Sequence, residues 1–494
     1  MKKIGHYQLT AIMVFICFLS INAGVSPLAM ESSYAIQRGF PANEETIRQA
    51  QDATDLRRAI EAYKFFFPTV ATEAVIQQFA PHGAIPNKIG IIMPQDPEQQ
   101  FSVANQDTPY VIAVFDLKSS GPMVIEVPEG PYMGLMDDHN MEWFGDMGVI
   151  GPGKGKGEKD LLLPPGYNGE ISEGYHPFYC KTWKAVMAMR IVVKSGSYDE
   201  AVEYANKLKV YPLAEAGKPS SYRIIDVKGK PAPLPILRWE KNMDYWRQLH
   251  AVVDSETAQP NHRIMLGMLA ELGIKKGEPF QPNKRVVDIL TKASEIGFAE
   301  MNVAFFANPR PERLIWQDRR WEYIPLMGPL DPATNDFGTE NYRDLLANDH
   351  YFFMAWGTSG GIGRRQVGNG SMYFYTPRDV TGAYLDGGKN YKLTIPGPVP
   401  AKLFWSVTVY DSETRTIINT DQGRGAVRTM FERPEANADG SFDIFFGPNA
   451  PTGKENQWVK TIPGKGWFTF VRMYGPQAPL FDGTYKLQDI QRMK

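Results

Sequence analysis

The chain has 494 residues, with 53 Lys or Arg against 55 Asp or Glu, which leaves a formal charge of −2. That balance supplies no global field to draw in nucleic acid or an anionic membrane. The 45 glycines, 38 prolines and 12% aromatic residues point to turn-rich β structure rather than an all-helical protein, at a length that suggests two or three domains.

The chain opens as a secretory signal. Lys2 and Lys3 precede an apolar run from Leu9 to about Ile21 and then small residues. Cleavage fits after Ala23, Ser26, Ala29 or Ala35, with Ser33-Tyr34-Ala35 best matching the small-x-small rule. The run is too short for a comfortable membrane span, and no later stretch reaches the roughly 18 apolar residues that a span needs. The expectation is an exported protein, periplasmic or secreted, with no membrane span. Removing the leader takes Cys17 with it and leaves Cys180 alone, so no intramolecular disulfide can form. In its apolar setting that thiol reads as a small buried residue rather than a nucleophile.

Residues 36–87 read as N-terminal helices. Leu56, Ala59, Ile60, Tyr63 and Phe67 recur at helical spacing, and Pro68 is expected to stop the pattern. From 88 to 235 short apolar or alternating runs separated by Gly and Pro predict a β module, with strands near Val111–Phe115, Met123–Val127, Tyr132–Met136 and Ala185–Val193. Residues 236–330 return to helical spacing. Leu266, Leu269 and Leu272 share a face before a Gly273 C-cap, and a second helix is predicted from about Arg285 to Phe298. The stretch 331–370 reads as irregular connection. Residues 371–494 hold strands at Tyr391–Ile395, Leu403–Tyr410, Phe442–Phe446 and Trp467–Tyr474. In the second of these, Leu403, Trp405, Val407 and Val409 fall on a buried face and Ser406 and Thr408 on the other. The expected fold is mainly β with helical insertions (α+β): two β-sandwich or jelly-roll modules joined by a helical segment.

Two segments carry a resemblance. Asn105-Gln106-Asp107-Thr108-Pro109-Tyr110, Phe115-Asp116-Leu117, Gly121-Pro122, Asp137 through Phe144, and Leu161 through Gly169 resemble domain of unknown function 1254. Tyr375-Thr376-Pro377-Arg378-Asp379, Phe404 through Asp411, Asp439-Gly440-Ser441, Asn456-Gln457-Trp458 and Arg472-Met473-Tyr474 resemble its companion, domain of unknown function 1214. One departure is Gln457, which stands between an Asn and a Trp that are often adjacent. The resemblance implies exported or envelope proteins built largely from β-jelly-roll domains, and it implies no reaction.

The densest polar group is Asp137, Asp138, His139, Asn140, Glu142 and Asp146. Carboxylates and an imidazole this close suit a divalent metal or an acid–base pair, with Asp137, Asp138, His139 and Glu142 as the catalytic candidates. The competing reading is a polar loop capping a strand. Asn105, Asp107 and Tyr110 form a second group, either a turn or a pocket edge. With Trp143, Arg378, Trp405 and Arg472 they make the ligand-binding candidates, since arginine among aromatics suits a carboxylate or a sugar face.

Gly357 to Gly361 matches the nucleophile-elbow pattern but lacks a following helix. Gly151 to Gly157 lacks the Gly-Lys-Ser/Thr end of a phosphate loop, so no nucleotide cofactor is supported, and no histidine pair has zinc-motif spacing. The reading with most support is binding of a small molecule or glycan in an aromatic-lined cleft between the β modules. Its rivals are a hydrolase or lyase, metal-assisted or not, using the Asp137–Asp146 group, and a structural role as a homo-oligomer.

Overall fold

In a computed structural model of the chain, the described residues are 34–231, 239–326, 337–339, 341–360, 365–368 and 370–493. The expected secretory leader up to residue 33 and the end of the glycine pattern at Gly361 lie outside them. Two compact units are distinguished, Met1–Thr54 and Asp55–Lys494. In the first, the two-residue strands Ile36–Gln37 and Phe40–Pro41 pair antiparallel. Apart from the start of the first helix, all that follows concerns the second.

Helix and strand each make up 28% of an α+β fold. In the N-terminal half a six-stranded sheet confronts a four-stranded one. Alternation along the strands sends Val111, Ala113, Phe115, Met187 and Met189 of the first sheet against Met123, Ile125, Val127 and Leu162 of the second, which closes one sandwich core. Cys180 is buried in the same core, and burial pushes its thiol well up, so it packs as an apolar residue. The C-terminal half repeats the plan with two four-stranded sheets around Trp405, Val407, Val409, Ile444, Phe446, Val471 and Met473.

Each expected strand is present, most of them extended by one to three residues, with Tyr391–Ile395 unchanged and the expected Ala185–Val193 found as Lys184–Ile191. Leu403–Tyr410, for example, lies within Ala401–Asp411. The expectation of one buried face on that strand needs correction, because Ser406 and Thr408 are as inaccessible as Val407 while Leu403 is 63% exposed. The reason is a third layer: the back of this sheet packs on helices and on the N-terminal half through Tyr375, Tyr410, Phe468 and Phe470.

The helical layer departs from the sequence reading at three points. The first helix, Glu44–Phe79, runs straight past Pro68. Proline costs a helix interior about 3 kcal/mol. Here burial of Phe66, Phe67, Val70 and Ala71 on one face outweighs it, and the Thr72 hydroxyl donates to the Pro68 carbonyl at 3.0 Å. The predicted Arg285–Phe298 helix spans Lys284–Phe306. The stretch expected to be irregular contains the helix Leu345–Met354, with Asp344 capping it through the Ala347 amide at 3.0 Å. Seven of its ten residues are buried, Asn348 and His350 among them, so it shows no amphipathic period. The Gly273 C-cap is as expected, with φ +83° and the Ile274 amide returning to the Leu269 carbonyl at 3.0 Å.

Candidate functional site

The strands Tyr110–Asp116, Lys184–Ile191 and Tyr132–Asp138 are neighbours in register: Tyr110, Arg190 and Met133 lie side by side, then Ile112, Ala188 and Leu135, then Val114, Val186 and Asp137. With a side-chain period of two, all these residues project from the face away from the sandwich core. Met133, Leu135, Ala188, Arg190 and Tyr110 are only half-buried. Facing them is the back of the C-terminal sheet, where Tyr373 of Ser371–Thr376 stands directly opposite Arg472 of Trp467–Pro476, and Arg472 opposite Ser406.

The segment before Tyr110 stitches the two sheets together. The Asn105 side chain accepts from the Asp107 amide at 2.7 Å, fixing an Asx turn, and donates to the Tyr474 hydroxyl at 2.6 Å. Asp107 Oδ2 accepts from the Tyr474 hydroxyl at 2.9 Å and from Ser406 Oγ at 2.7 Å. Arg472, 2% exposed, donates to Thr408 Oγ1 at 3.1 Å and to the Val103 and Ala104 carbonyls at 3.0 and 3.3 Å. Its guanidinium centre lies 5.3 Å from the Tyr373 ring centroid. Arg190 donates twice to the Tyr110 hydroxyl, at 2.9 and 2.5 Å, and bonds to Tyr373. Two buried polar atoms, Asp107 Oδ1 and Arg472 Nε, have no hydrogen-bond partner among the described residues.

The electrostatics single out one phenol. Burial opposes ionisation of Tyr373, but the Arg190 and Arg472 guanidiniums outweigh it and hold the phenol below its ordinary value. Burial pushes Tyr110 up against the opposing Arg190 guanidinium, and burial followed by the Asp107 carboxylate pushes Tyr474 up.

The Asp137–Asp146 group is arranged differently. Asp137 accepts from the Thr358 amide at 2.8 Å and from its hydroxyl at 2.9 Å, and burial drives its carboxyl well up. Asp138 caps the turn through the Asn140 and Glu142 amides at 2.8 and 3.0 Å, and burial pushes it up to about 8. His139 is fully buried between two carboxylates, with Nδ1 2.8 Å from Glu256 and Nε2 2.9 Å from Glu73. Burial disfavours its charge, yet the two carboxylates raise its pKa, and each ring nitrogen is placed to donate to one of them. Glu142 pairs with His262 at 3.1 Å and Lys181 at 2.9 Å, and these partners hold it at about 2 against the penalty of burial. Among the described residues no group of three or more His, Cys, Asp or Glu is placed to hold a metal ion.

Of the ligand-binding candidates, Asn105, Asp107, Tyr110 and Arg472 converge, and Trp143, Arg378 and Trp405 lie elsewhere. Trp143 packs on Gly360, where a Cβ would come within 2.5 Å of the indole, and donates to Asp146 at 2.9 Å. Arg378 sits 3.9 Å above the Tyr384 ring and donates to the Gly382 carbonyl at 2.8 Å. Trp405, on the opposite face from Ser406, is in the sandwich core edge-on to Phe442. The inserted Gln457 bonds to the Asp443 carbonyl at 2.8 Å and serves the local turn. Sequence reasoning missed Arg190 and Tyr373. The only signal for the first was an arginine closing the apolar run Val186-Met187-Ala188-Met189.

Comparisons with known proteins bear on the order of the modules and on the fold. Residues 86–212 match the family model described as "Protein of unknown function (DUF1254)", and residues 370–478 match the one described as "Protein of unknown function (DUF1214)". The two modules therefore occur in the order that the sequence motifs indicate. The crystal structure of the VPA0106 protein from Vibrio parahaemolyticus is similar over 89% of this chain and 100% of its own, with a TM-score of 0.54 at 16% identity, a likeness of fold. An uncharacterized protein from Burkholderia cenocepacia aligns over 90% of this chain and 96% of its own, with a TM-score of 0.40 at 12% identity. No curated protein matches the chain.

Proposed function

We propose that the chain is an exported protein that binds a small molecule with a carboxylate end and an apolar body, between the back of the C-terminal sheet and the outer face of the N-terminal six-stranded sheet. The observation that carries this reading is the pair of guanidiniums, Arg190 and Arg472, converging on one spot together with Arg472 Nε, a buried donor with no acceptor among the described residues. A buried donor left unpaired costs about 1–3 kcal/mol, and a carboxylate oxygen is a suitable acceptor for it. The half-buried Met133, Leu135 and Ala188 beside Arg190 supply the apolar wall.

A small carboxylate accounts for these features better than a glycan, because Trp143 and Trp405 are both engaged away from this spot. The hydrolase or lyase reading is less supported: Asp137, His139 and Glu142 each spend their hydrogen-bonding capacity on partners within the fold.

The test is calorimetric titration with octanoate, with octan-1-ol as the uncharged control. Octanoate should bind the intact protein, and Arg190→Met, which changes a half-buried side chain, should weaken it by about tenfold to a hundredfold, the worth of a charged hydrogen bond. Octanol binding should not change. Octanoate binding that is equal in the variant, or absent from the parent, would refute the reading.

A further inference from the structure

Trp405 and the turn Asp439-Gly440-Ser441 take no part in the site above, and the fold brings them together where the strands Ala401–Asp411 and Phe442–Gly447 begin. In the first of these strands Ala401 pairs with Pro476 and Phe404 with Tyr474, so Lys402 and Leu403 together face the single residue Gly475, a β-bulge. The bulge re-aims a side chain: Leu403, which alternation with Trp405 and Val407 would send into the core, is 63% exposed. Beside it lies a cleft of about 610 Å³. Its apolar lining includes Pro398, Val399, Leu403 and Phe404 together with Trp405 and Phe442, the last two edge-on with ring centroids 5.2 Å apart.

The polar groups of the cleft narrow its chemistry. Thr429 is spent within the fold: its hydroxyl accepts from the Trp405 amide at 3.2 Å and donates to the Trp405 carbonyl at 3.0 Å. Asp439 is the one charged residue of the lining among the described residues, and it is exposed. Its Oδ1 accepts from the Ser441 amide at 3.0 Å and the Ser441 hydroxyl at 2.6 Å, which leaves Oδ2 for a ligand. We propose that this cleft binds a small amine with an apolar, ring-bearing body: the body lies against Trp405, Phe442 and Leu403, and the ammonium pairs with the Asp439 carboxylate. Small-molecule pockets occupy about 300–1,000 Å³ and combine apolar walls with a few polar groups that orient the ligand. Both the carboxylate and the aromatic rings favour a cation at the polar end. The site is separate from the carboxylate-binding one. Trp405 and Ser406 are adjacent on one strand and point to opposite faces of the sheet, Ser406 toward Asp107 at 2.7 Å.

Calorimetric titration of the full chain with 4-phenylbutylamine, and with 4-phenylbutan-1-ol as the uncharged control, tests this. The amine should bind about twofold to fivefold more tightly than the alcohol, the worth of a solvent-exposed ion pair. Asp439→Asn keeps an acceptor for Ser441 and should bring the two ligands to equal affinity. Leu403→Arg removes part of the apolar wall and sets a positive charge beside the ammonium, so it should weaken amine binding by about tenfold. Leu403 and Asp439 are both exposed, so both variants should keep the urea midpoint of the parent. Failure of the amine to bind, or equal binding in the parent and in Leu403→Arg, would overturn the proposal. A preference for the amine that survives in Asp439→Asn would overturn it as well, since the carboxylate would then have no part in recognition. A parent that sediments as a dimer and a Leu403→Arg variant that sediments as a monomer, with no amine bound by either, would overturn it in favour of a second copy of the chain as the occupant.

Discussion

Replacing His139 with alanine removes the cation between Glu73 and Glu256 and leaves both carboxylates, 8% and 5% exposed, without the group that neutralised them. Breaking a buried ion pair from one side costs about 3–5 kcal/mol. The residual partners argue for the lower end. Glu256 keeps the Lys184 amide at 3.0 Å, and Glu73 keeps the Lys184 ammonium at 3.5 Å. A loss of about 3 kcal/mol is therefore expected, read as a lower urea midpoint at unchanged slope.

The pH dependence has a definite sign. The pKa of His139 is raised in the fold, so its contribution is complete below its unfolded value of about 6.5 and is lost as pH rises through the folded value. Glu73 is held at about 2, so its contribution is present above its unfolded value and is lost as pH falls toward 2. The gap between parent and His139→Ala should be widest between about pH 5 and pH 6.5 and narrow on either side. A gap below about 1 kcal/mol at pH 6, or one that does not vary with pH, would refute the bridge as a source of stability.

Three further outcomes follow, two from buried charge and one from a close backbone approach. Asp160 is fully buried, and burial, followed by the charge of the nearby Glu158 carboxylate and a hydrogen bond with it, pushes it up to about 9. The fold therefore binds this proton more tightly than the unfolded chain does. Parent stability should fall as pH rises from about 4 toward 9, and denaturant unfolding of Asp160→Asn across that range should show a flatter profile. Arg415 and Glu240 form a fully buried pair, so Arg415→Met alone should cost about 3 kcal/mol in urea unfolding. Adding Glu240→Gln should restore part of that loss, and a double variant no better than the single would contradict it. Gly148 has φ +74°, and a Cβ there would lie 2.1 Å from the Tyr132 carbonyl oxygen, so Gly148→Ala should cost more than about 2 kcal/mol in the same assay.

The strands and their inward faces were legible because sandwich cores impose a period of two that sequence displays directly: Trp405, Val407 and Val409 announce their face without help from the rest of the chain. The helices were less legible where packing overrode local preference. Pro68 is a helix breaker by intrinsic chemistry, and only the ring of aromatic contacts around Phe66 and Phe67 makes its cost tolerable. The helix Leu345–Met354 was hidden for the converse reason: a segment buried on every side shows no polar stripe to mark its turn.

The candidate site divides in the same way. Asn105, Asp107, Tyr110 and Arg472 could be named from sequence because they sit in polar or aromatic clusters that stand out locally. Arg190 and Tyr373 could not, because what makes each unusual lies on other elements distant along the chain: Tyr373 alternates regularly with Met372 and Phe374 as any strand tyrosine would. Conversely, the crowding of Asp137, Asp138 and His139 overstated their chemical availability. Adjacent residues on a strand point to opposite faces, so Asp137 reaches Thr358 while Asp138 turns back onto the Asn140 and Glu142 amides, and His139 leaves in a third direction toward two helices. Proximity along the chain thus separated these groups in space, and pairing across the sheets brought together Tyr110, Arg190, Tyr373 and Arg472. In a fold whose sheets are buried on both faces, polar residues on the second face are where a site is to be sought, since only a partner from another layer can meet the cost of burying them.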